Sequence, residues 1–203
     1  MGGYVETKKE LPYGVEGELC ISGKHIFKEY YREPKLTGDT KFIFKNRQYI
    51  HTGMMGFLDE DGYFTLTGRT SRFYINGDLN KIYLERVQNI ISLIKGVESC
   101  IAVPKPNDEK LFACKVFIVP TKDTVVDENY VSFLKTQFTK PLVDVNGDEI
   151  QLKPYEIPES LEIIEKLPRC MDKGDKIDVS LLEQKAIKEY EIEKEKKSAF
   201  CSE

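Results

Sequence analysis

The sequence predicts an α+β protein in two parts: a β-rich stretch over residues 1–69, then a short sheet flanked by helices over residues 70–203. Up to Arg69 the apolar residues come in short alternating or aromatic runs bounded by Gly, Pro, Asn and Asp, the pattern of strands joined by turns. Beyond it, Leu84, Val87, Ile90, Ile91 and Ile94 recur at helical spacing, as do Tyr130, Phe133, Leu134 and Phe138. Between those helices, Phe112, Cys114, Val116 and Ile118 alternate as one face of a strand.

Taken in order, Leu11-Pro12-Tyr13-Gly14 and Glu16-Gly17 are turn signals, and Glu18 to Gly23 alternates as a half-buried strand. Glu33-Pro34 ends any helix begun near Phe27, because the residue before proline is pushed out of the helical region. Phe42-Ile43-Phe44 is a strand, and Asn46-Arg47 turns the chain into Tyr49-Ile50-His51. Met55 to Leu58 and Tyr63 to Thr67 flank Asp59-Glu60-Asp61-Gly62 as the two strands of a hairpin. Gly68-Arg69 ends it, and a guanidinium with five fixed donors suits a bend beside an anion, though a plain surface arginine fits the same residues.

Phe73-Tyr74-Ile75 is a short strand turned by Asn76-Gly77, and the helix from Leu84 to Ile94 stops at Gly96. Ser99 to Val103 and Lys110 to Val119 form a hairpin around Pro104 to Glu109. Asp127 caps the next helix, and Asn146-Gly147 turns a small extra hairpin between Leu142-Val143 and Ile150 to Leu152. Leu161 to Ile164 is a strand, Arg169 to Asp175 a charged loop, and Val179 to Lys197 a charged helix whose end has little to bury.

The composition is that of an ordinary soluble domain, with 40% hydrophobic and 32% charged residues and a net charge of −4. That charge gives no reason to expect a nucleic-acid partner, which needs a basic face. No apolar run approaches a membrane span and no leader-like segment is evident, so the expectation is a cytoplasmic protein without a membrane partner. Five cysteines without a CxxC and only two histidines, His25 and His51, suggest neither a disulfide framework nor a metal site.

Gly14 to Gly23, then Tyr30-Tyr31-Arg32-Glu33-Pro34-Lys35-Leu36-Thr37 and Phe42, resemble the GEL-containing run of adenylate-forming enzymes: acyl-CoA synthetases, luciferases and peptide-synthetase adenylation domains. Tyr49 to Gly53 and Gly62 to Arg69 resemble the family's next blocks, Y-x-TGD and the hairpin ending in GR. Within the family the look is closest to ligases that load D-alanine onto a carrier protein. The resemblance implies that residues 1–69 are the β-rich end of the large adenylation domain, part of a distorted barrel. Residues 70–203 would be the small, mobile carboxy-terminal lid domain with a charged terminal helix.

In that family a carboxylate attacks the α-phosphate of ATP, with Mg, and the acyl-adenylate passes to a thiol of coenzyme A or a carrier's phosphopantetheine arm. Such catalysis rests on positioning and charge neutralisation. By resemblance, Thr52, Gly53 and Arg69 face the nucleotide, Ser71 is the hinge, and Lys176 in Leu167 to Asp178 is the catalytic lysine, with Lys173 in reserve. No metal ligand is assigned, and Glu85, at the position of a family glutamate, is given no role.

The departures are Met54 where the family has a ribose-binding aspartate, Ser71 where Asp or Lys is usual, and a lysine loop two residues longer with Asp175 before Lys176. The phosphate loop, adenine turn and substrate pocket of the family precede the GEL strand and have no counterpart in the sequence. Two readings follow. One is the carboxy-terminal portion of a carbon-sulfur-bond-forming, ATP-dependent ligase for an amino acid or acyl group, inactive without its amino-terminal adenylation domain. The other is a degenerate, non-catalytic relative that docks a carrier protein or partner chain. Either way, the strands before Arg69 should leave an apolar β surface open to that domain or to a second copy as a dimer.

Overall fold

Hydrogen-bonded strands in the first unit, Met1–Ser71, make one four-stranded antiparallel sheet organised on a single long strand. The computed structural model describes residues 9–144, 146–170 and 174–200. β3 (Arg47–Leu58) pairs with β1 (Gly17–Ile21), with β2 (Lys41–Phe44) and with β4 (Phe64–Arg69). The pairings cover Ile50 to Gly56 for β1, Arg47 to Ile50 for β2 and Met54 to Leu58 for β4. The sheet is open, and no closed barrel forms among the described residues.

Turn chemistry sets this register. Gly62 takes φ +86°, and the Asp59 carboxylate accepts the Tyr63 N–H at 2.8 Å, closing the β3–β4 hairpin. The β2–β3 turn sits on Lys45 and Asn46, both at positive φ (47° and 61°), one residue earlier than Asn46-Arg47, so Arg47 already belongs to β3.

Proline at position 34 does not end a helix; it starts one. α1 (Pro34–Thr40) carries it in the first turn, where its missing N–H costs nothing and its fixed φ is already helical. Thr37 and Thr40 hydroxyls donate to the Glu33 and Leu36 carbonyls at 2.9 and 2.7 Å, so a stretch expected to be a connection winds instead.

The second unit, Arg72–Glu203, is built on a three-stranded sheet in the order β11-β8-β7. A hairpin of β5 (Phe73–Ile75) and β6 (Lys81–Tyr83) leads into α2 (Leu84–Ile91). β7 (Val97–Asn107) and β8 (Leu111–Pro120) are antiparallel, and after α3 (Glu128–Gln137) the chain returns as β11 (Ser160–Ile163), parallel to β8. β7 continues through Pro104 and Pro106 to Asn107, where a turn was expected. It lies at the sheet edge, where a residue without an N–H is tolerated, and the turn shrinks to residues 108–110.

The alternation along β8 divides the core. Cys114, Val116 and Ile118 join Val87, Ile90 and Ile91 of α2 and Tyr130, Leu134 and Phe138 from the α3 region. Phe117, fully buried, points the other way with Ile101 and Val103 against Leu182 and Ala186 of α4 (Val179–Phe200). Asp127 caps α3 by accepting the Tyr130 N–H at 2.8 Å. β9 (Leu142–Val143) and β10 (Glu149–Ile150) form the small Asn146-Gly147 hairpin. β12 (Arg169–Cys170) and β13 (Lys176–Ile177) pair where a loop was expected.

The end of α4 is exposed from Glu191 to Lys197, as its charged sequence predicts, and charge ties the helix to the sheet. Lys115, on β8 and almost wholly buried, pairs with Glu162 at 3.0 Å and with Glu189 of α4. Lys105 reaches Glu189 and Glu193, each at 2.9 Å, and Lys185 pairs with Glu162. Burial alone would lower the Lys105 ammonium, but the Glu189 and Glu193 hydrogen bonds outweigh it and hold its pKa above the ordinary value.

Candidate functional site

Thr52, Gly53 and Met54 lie in mid-strand on β3, and Arg69 closes β4 directly opposite Met54 in the register. The hairpin thus brings together the Tyr49-to-Met54 and Gly62-to-Arg69 blocks, which are far apart in neither chain nor space. Gly53 has φ +72°, a conformation that a side chain would strain, and its carbonyl accepts the Thr70 N–H at 2.8 Å just past Arg69. Thr52 donates its hydroxyl to the Leu19 carbonyl at 2.6 Å and accepts the Met54 N–H at 3.2 Å. This threonine braces the bend against β1, so its hydroxyl is engaged within the protein.

Arg69 is solvent-exposed at the strand end. Beside it, Met54 offers a thioether, a weak hydrogen-bond acceptor, at the position where the sequence resemblance expects an aspartate. The position is half-buried and, among the described residues, no carboxylate stands in the strand at that register.

Glu18 fixes the near side of the same bend. Its Oε1 accepts the Gly53 N–H at 2.8 Å, and its Oε2 lies 2.8 Å from His51 Nδ1. Cys20, the direct register partner of His51, places its sulfur 3.9 Å from that nitrogen. Sequence reading did not single out this trio. The signal was present as alternation: Glu18 and Cys20 share one face of a strand, but only the β1–β3 pairing brings His51 to them.

Ser71 is the last residue of the first unit. On one side Thr70 is bonded to Gly53; on the other the Arg72 carbonyl accepts the Leu84 N–H at 3.1 Å, and the Arg72 guanidinium reaches Gln88 Oε1 and the Ala102 carbonyl at 2.9 and 3.1 Å. Ser71 is therefore bracketed by residues anchored in different units.

Lys176 is exposed on β13, opposite Cys170. Arg169 closes this hairpin by donating to the Asp175 carbonyl at 2.8 Å and its carboxylate at 3.1 Å, while Gly174 and Asp175 take φ 71° and 58°. The reserve lysine, Lys173, lies outside the described residues.

No protein-family model matches the chain. Among curated proteins it is 32% identical over 127 residues to the D-alanine–D-alanyl carrier protein ligase of Listeria monocytogenes, covering 63% of this chain and 24% of that one. It is 30% identical over 168 residues to the crotonobetaine/carnitine–CoA ligase of Salmonella typhimurium (81% and 29%). It is also 26% identical over 164 residues to the long-chain-fatty-acid–CoA ligase of Escherichia coli (81% and 26%). Among solved structures, ATP-bound MatB from Rhodopseudomonas palustris superposes with a TM-score of 0.67 at 24% identity, over 89% of this chain and 32% of that one. The anthranilate–CoA ligase AuaEII with anthranoyl-AMP gives 0.71 at 20%, over 88% and 31%. At those identities the superpositions speak for the fold. The chain spans roughly a quarter to a third of the length of these proteins. Together these likenesses relate the chain to the adenylate-forming, AMP-binding ligases, and its share of their length fits a carboxy-terminal part of such an enzyme.

Proposed function

We propose that the chain is the carboxy-terminal portion of an ATP-dependent ligase that joins a carboxylate, an amino acid or acyl group, to AMP and then to a thiol. The first unit would be the β-rich end of the adenylation domain and the second the lid. The observation that carries this reading is the bracketing of Ser71: a single residue separates backbone anchored in each unit, as a hinge needs. Arg69, exposed beside the Gly53 bend, would neutralise the adenylate phosphate, and Thr52 and Gly53 shape the backbone there. Lys176 would supply the cation that follows the phosphate and carboxylate charge during adenylation.

ATP with Mg would be supplied to a complete enzyme, whose amino-terminal adenylation domain contributes the phosphate loop. The thiol acceptor would be coenzyme A or a carrier's phosphopantetheine, a reading supported by relatives named for coenzyme A and for a carrier protein. Met54 favours a second reading, a docking module that has lost nucleotide binding, because a thioether cannot replace a charge-assisted ribose contact worth roughly 1.5–3 kcal/mol per bond.

Calorimetric titration with a non-hydrolysable acyl-adenylate analogue tests the choice. Binding that Arg69→Ala abolishes supports the ligase reading. An isotherm that Arg69→Ala leaves unchanged removes Arg69 from the site, and no binding by the chain joined to an adenylation domain of the relatives' type leaves the docking module.

A further inference from the structure

Across the β1–β3 pairing, Glu18, Cys20 and His51 present one carboxylate oxygen, one sulfur and one imidazole nitrogen, all within 4.8 Å of one another. Four-coordinate zinc, with bonds of about 2.0–2.3 Å, holds its ligand atoms roughly 3.3–3.8 Å apart. The Cys20 Sγ to His51 Nδ1 distance of 3.9 Å lies just above that range. The 2.8 Å contact between His51 Nδ1 and Glu18 Oε2 is a hydrogen bond that an ion replaces by moving the two atoms slightly apart.

The donors are held by the sheet and by their own partners. Glu18 and Cys20 lie two residues apart on β1, Cys20 is the cross-strand partner of His51, and the pairing register shifts between Glu18 and Cys20, where Glu18 reaches the same histidine. Glu18 is oriented by the Gly53 N–H on its other oxygen, and the His51 ring packs on Phe42 with centroids 4.4 Å apart. Both the His51 and Glu18 side chains keep 23% of their surface exposed, which leaves an approach for an ion and for a fourth ligand from solvent.

We propose that Glu18, Cys20 and His51 form a site for a thiophilic divalent cation of the zinc class, with an open fourth position. Carboxylate, imidazole and thiolate together select zinc or cobalt over magnesium and calcium, which prefer all-oxygen shells. Binding deprotonates the Cys20 thiol, with the proton released to solvent, and replaces the Nδ1–H bond from His51 to Glu18, the imidazole keeping its one proton on Nε2 as Nδ1 turns to the ion. Because Glu18 also holds the Gly53 N–H, the ion settles against the bend that carries Thr52 to Met54. The site does not depend on nucleotide binding or on the ligase reading.

The test is titration of the reduced, chelator-free chain with cobalt, read by the thiolate-to-cobalt charge-transfer absorption in the near ultraviolet, followed by displacement with zinc. The expected result is one equivalent of cobalt with that band, its loss on adding zinc, and its loss in Cys20→Ser with cobalt affinity down by more than about tenfold, since removing even an outer partner of a metal site costs 10–100-fold. His51→Gln should weaken binding comparably. A second readout needs no variant: zinc should slow alkylation of the Cys20 peptide by about tenfold or more, as thiolate capture removes the nucleophile, while Cys170 serves as internal comparison. Absence of the band in the unaltered chain, a band that survives Cys20→Ser, or Cys20 alkylation unaffected by zinc overturns the proposal.

Discussion

Met54 is the residue on which the nucleotide question turns. It stands opposite Arg69 in the β3–β4 register, and under the ligase reading proposed above this is the position from which a carboxylate would face a ribose. Met54→Asp should therefore raise affinity for an acyl-adenylate analogue by about 10–100-fold, as one or two charge-assisted bonds worth roughly 1.5–3 kcal/mol each are recovered against some cost in strand packing. Calorimetry on the variant checks this, and an unchanged or weaker isotherm would mean that the ribose does not approach this strand. The same residue shows what single positions disclose in sequence. Arg69 and Met54 could both be picked out by their neighbours, but that they face each other is a fact of the hairpin register. Cys20 and His51, thirty-one positions apart, could be joined only once that register was known.

At the scale of elements, β3 is the support on which the first unit depends, since it pairs with β1, β2 and β4, and Gly56 lies close against β4. A Cβ there would lie 2.1 Å from the Thr65 carbonyl oxygen and 2.6 Å from the Phe64 ring, next to the register shift between Met55 and Gly56. Gly56→Ala should destabilise the first unit by about 1–3 kcal/mol by forcing the strands apart, measurable by urea unfolding followed through hydrogen exchange of β3 amides. The elements with local signals were legible: α2 from its spacing, although it ends at Ile91 and not at the expected Ile94, α3 from Asp127, the Asn146-Gly147 hairpin, and the buried face of β8. Less legible were elements decided by tertiary placement. Pro34 ends a helix or begins one according to which side of it winds, and Pro104 and Pro106 interrupt a strand only if it is not at an edge. The parallel return of β11 beside β8 and the short β12–β13 pair carry no local periodicity at all.

The whole molecule distributes its buried apolar surface unevenly. The first unit buries Ile50 but leaves Tyr13, Tyr31, Ile43 and Tyr63 more than 60% exposed, whereas the large buried clusters all belong to the second. Unequal cores predict two unfolding transitions, the first unit melting at lower denaturant, with Phe117→Ala moving only the later one by about 3–5 kcal/mol. The exposed aromatic and aliphatic side chains of the first unit also predict association as concentration rises in sedimentation, through a dimer or an added domain. The second unit has, in addition, a pH signature. Burial pushes the Glu162 and Glu189 carboxyls up, but hydrogen bonds from Lys115 and Lys185 to the first, and from Lys105 and Lys115 to the second, more than offset it and hold both below the ordinary 4.5. Groups whose folded pKa is depressed contribute fully above the unfolded value, and the contribution is lost as pH falls through the folded one. Lys105, raised above its ordinary 10.5, contributes fully below that value and loses its share as pH climbs through the folded pKa. The clasp between α4 and the sheet should therefore be complete between about pH 4.5 and 10.5. Glu189→Gln should lower the later transition by about 1–3 kcal/mol at neutral pH, because partly exposed charge-assisted bonds to Lys105 and Lys115 are lost. The difference from the unaltered chain should shrink as the pH falls from about 4.5 through the lower folded pKa of Glu189, where its carboxylate is neutralised. A gap that stays constant down to pH 3 would assign the effect of the substitution to packing of α4 and not to its charge.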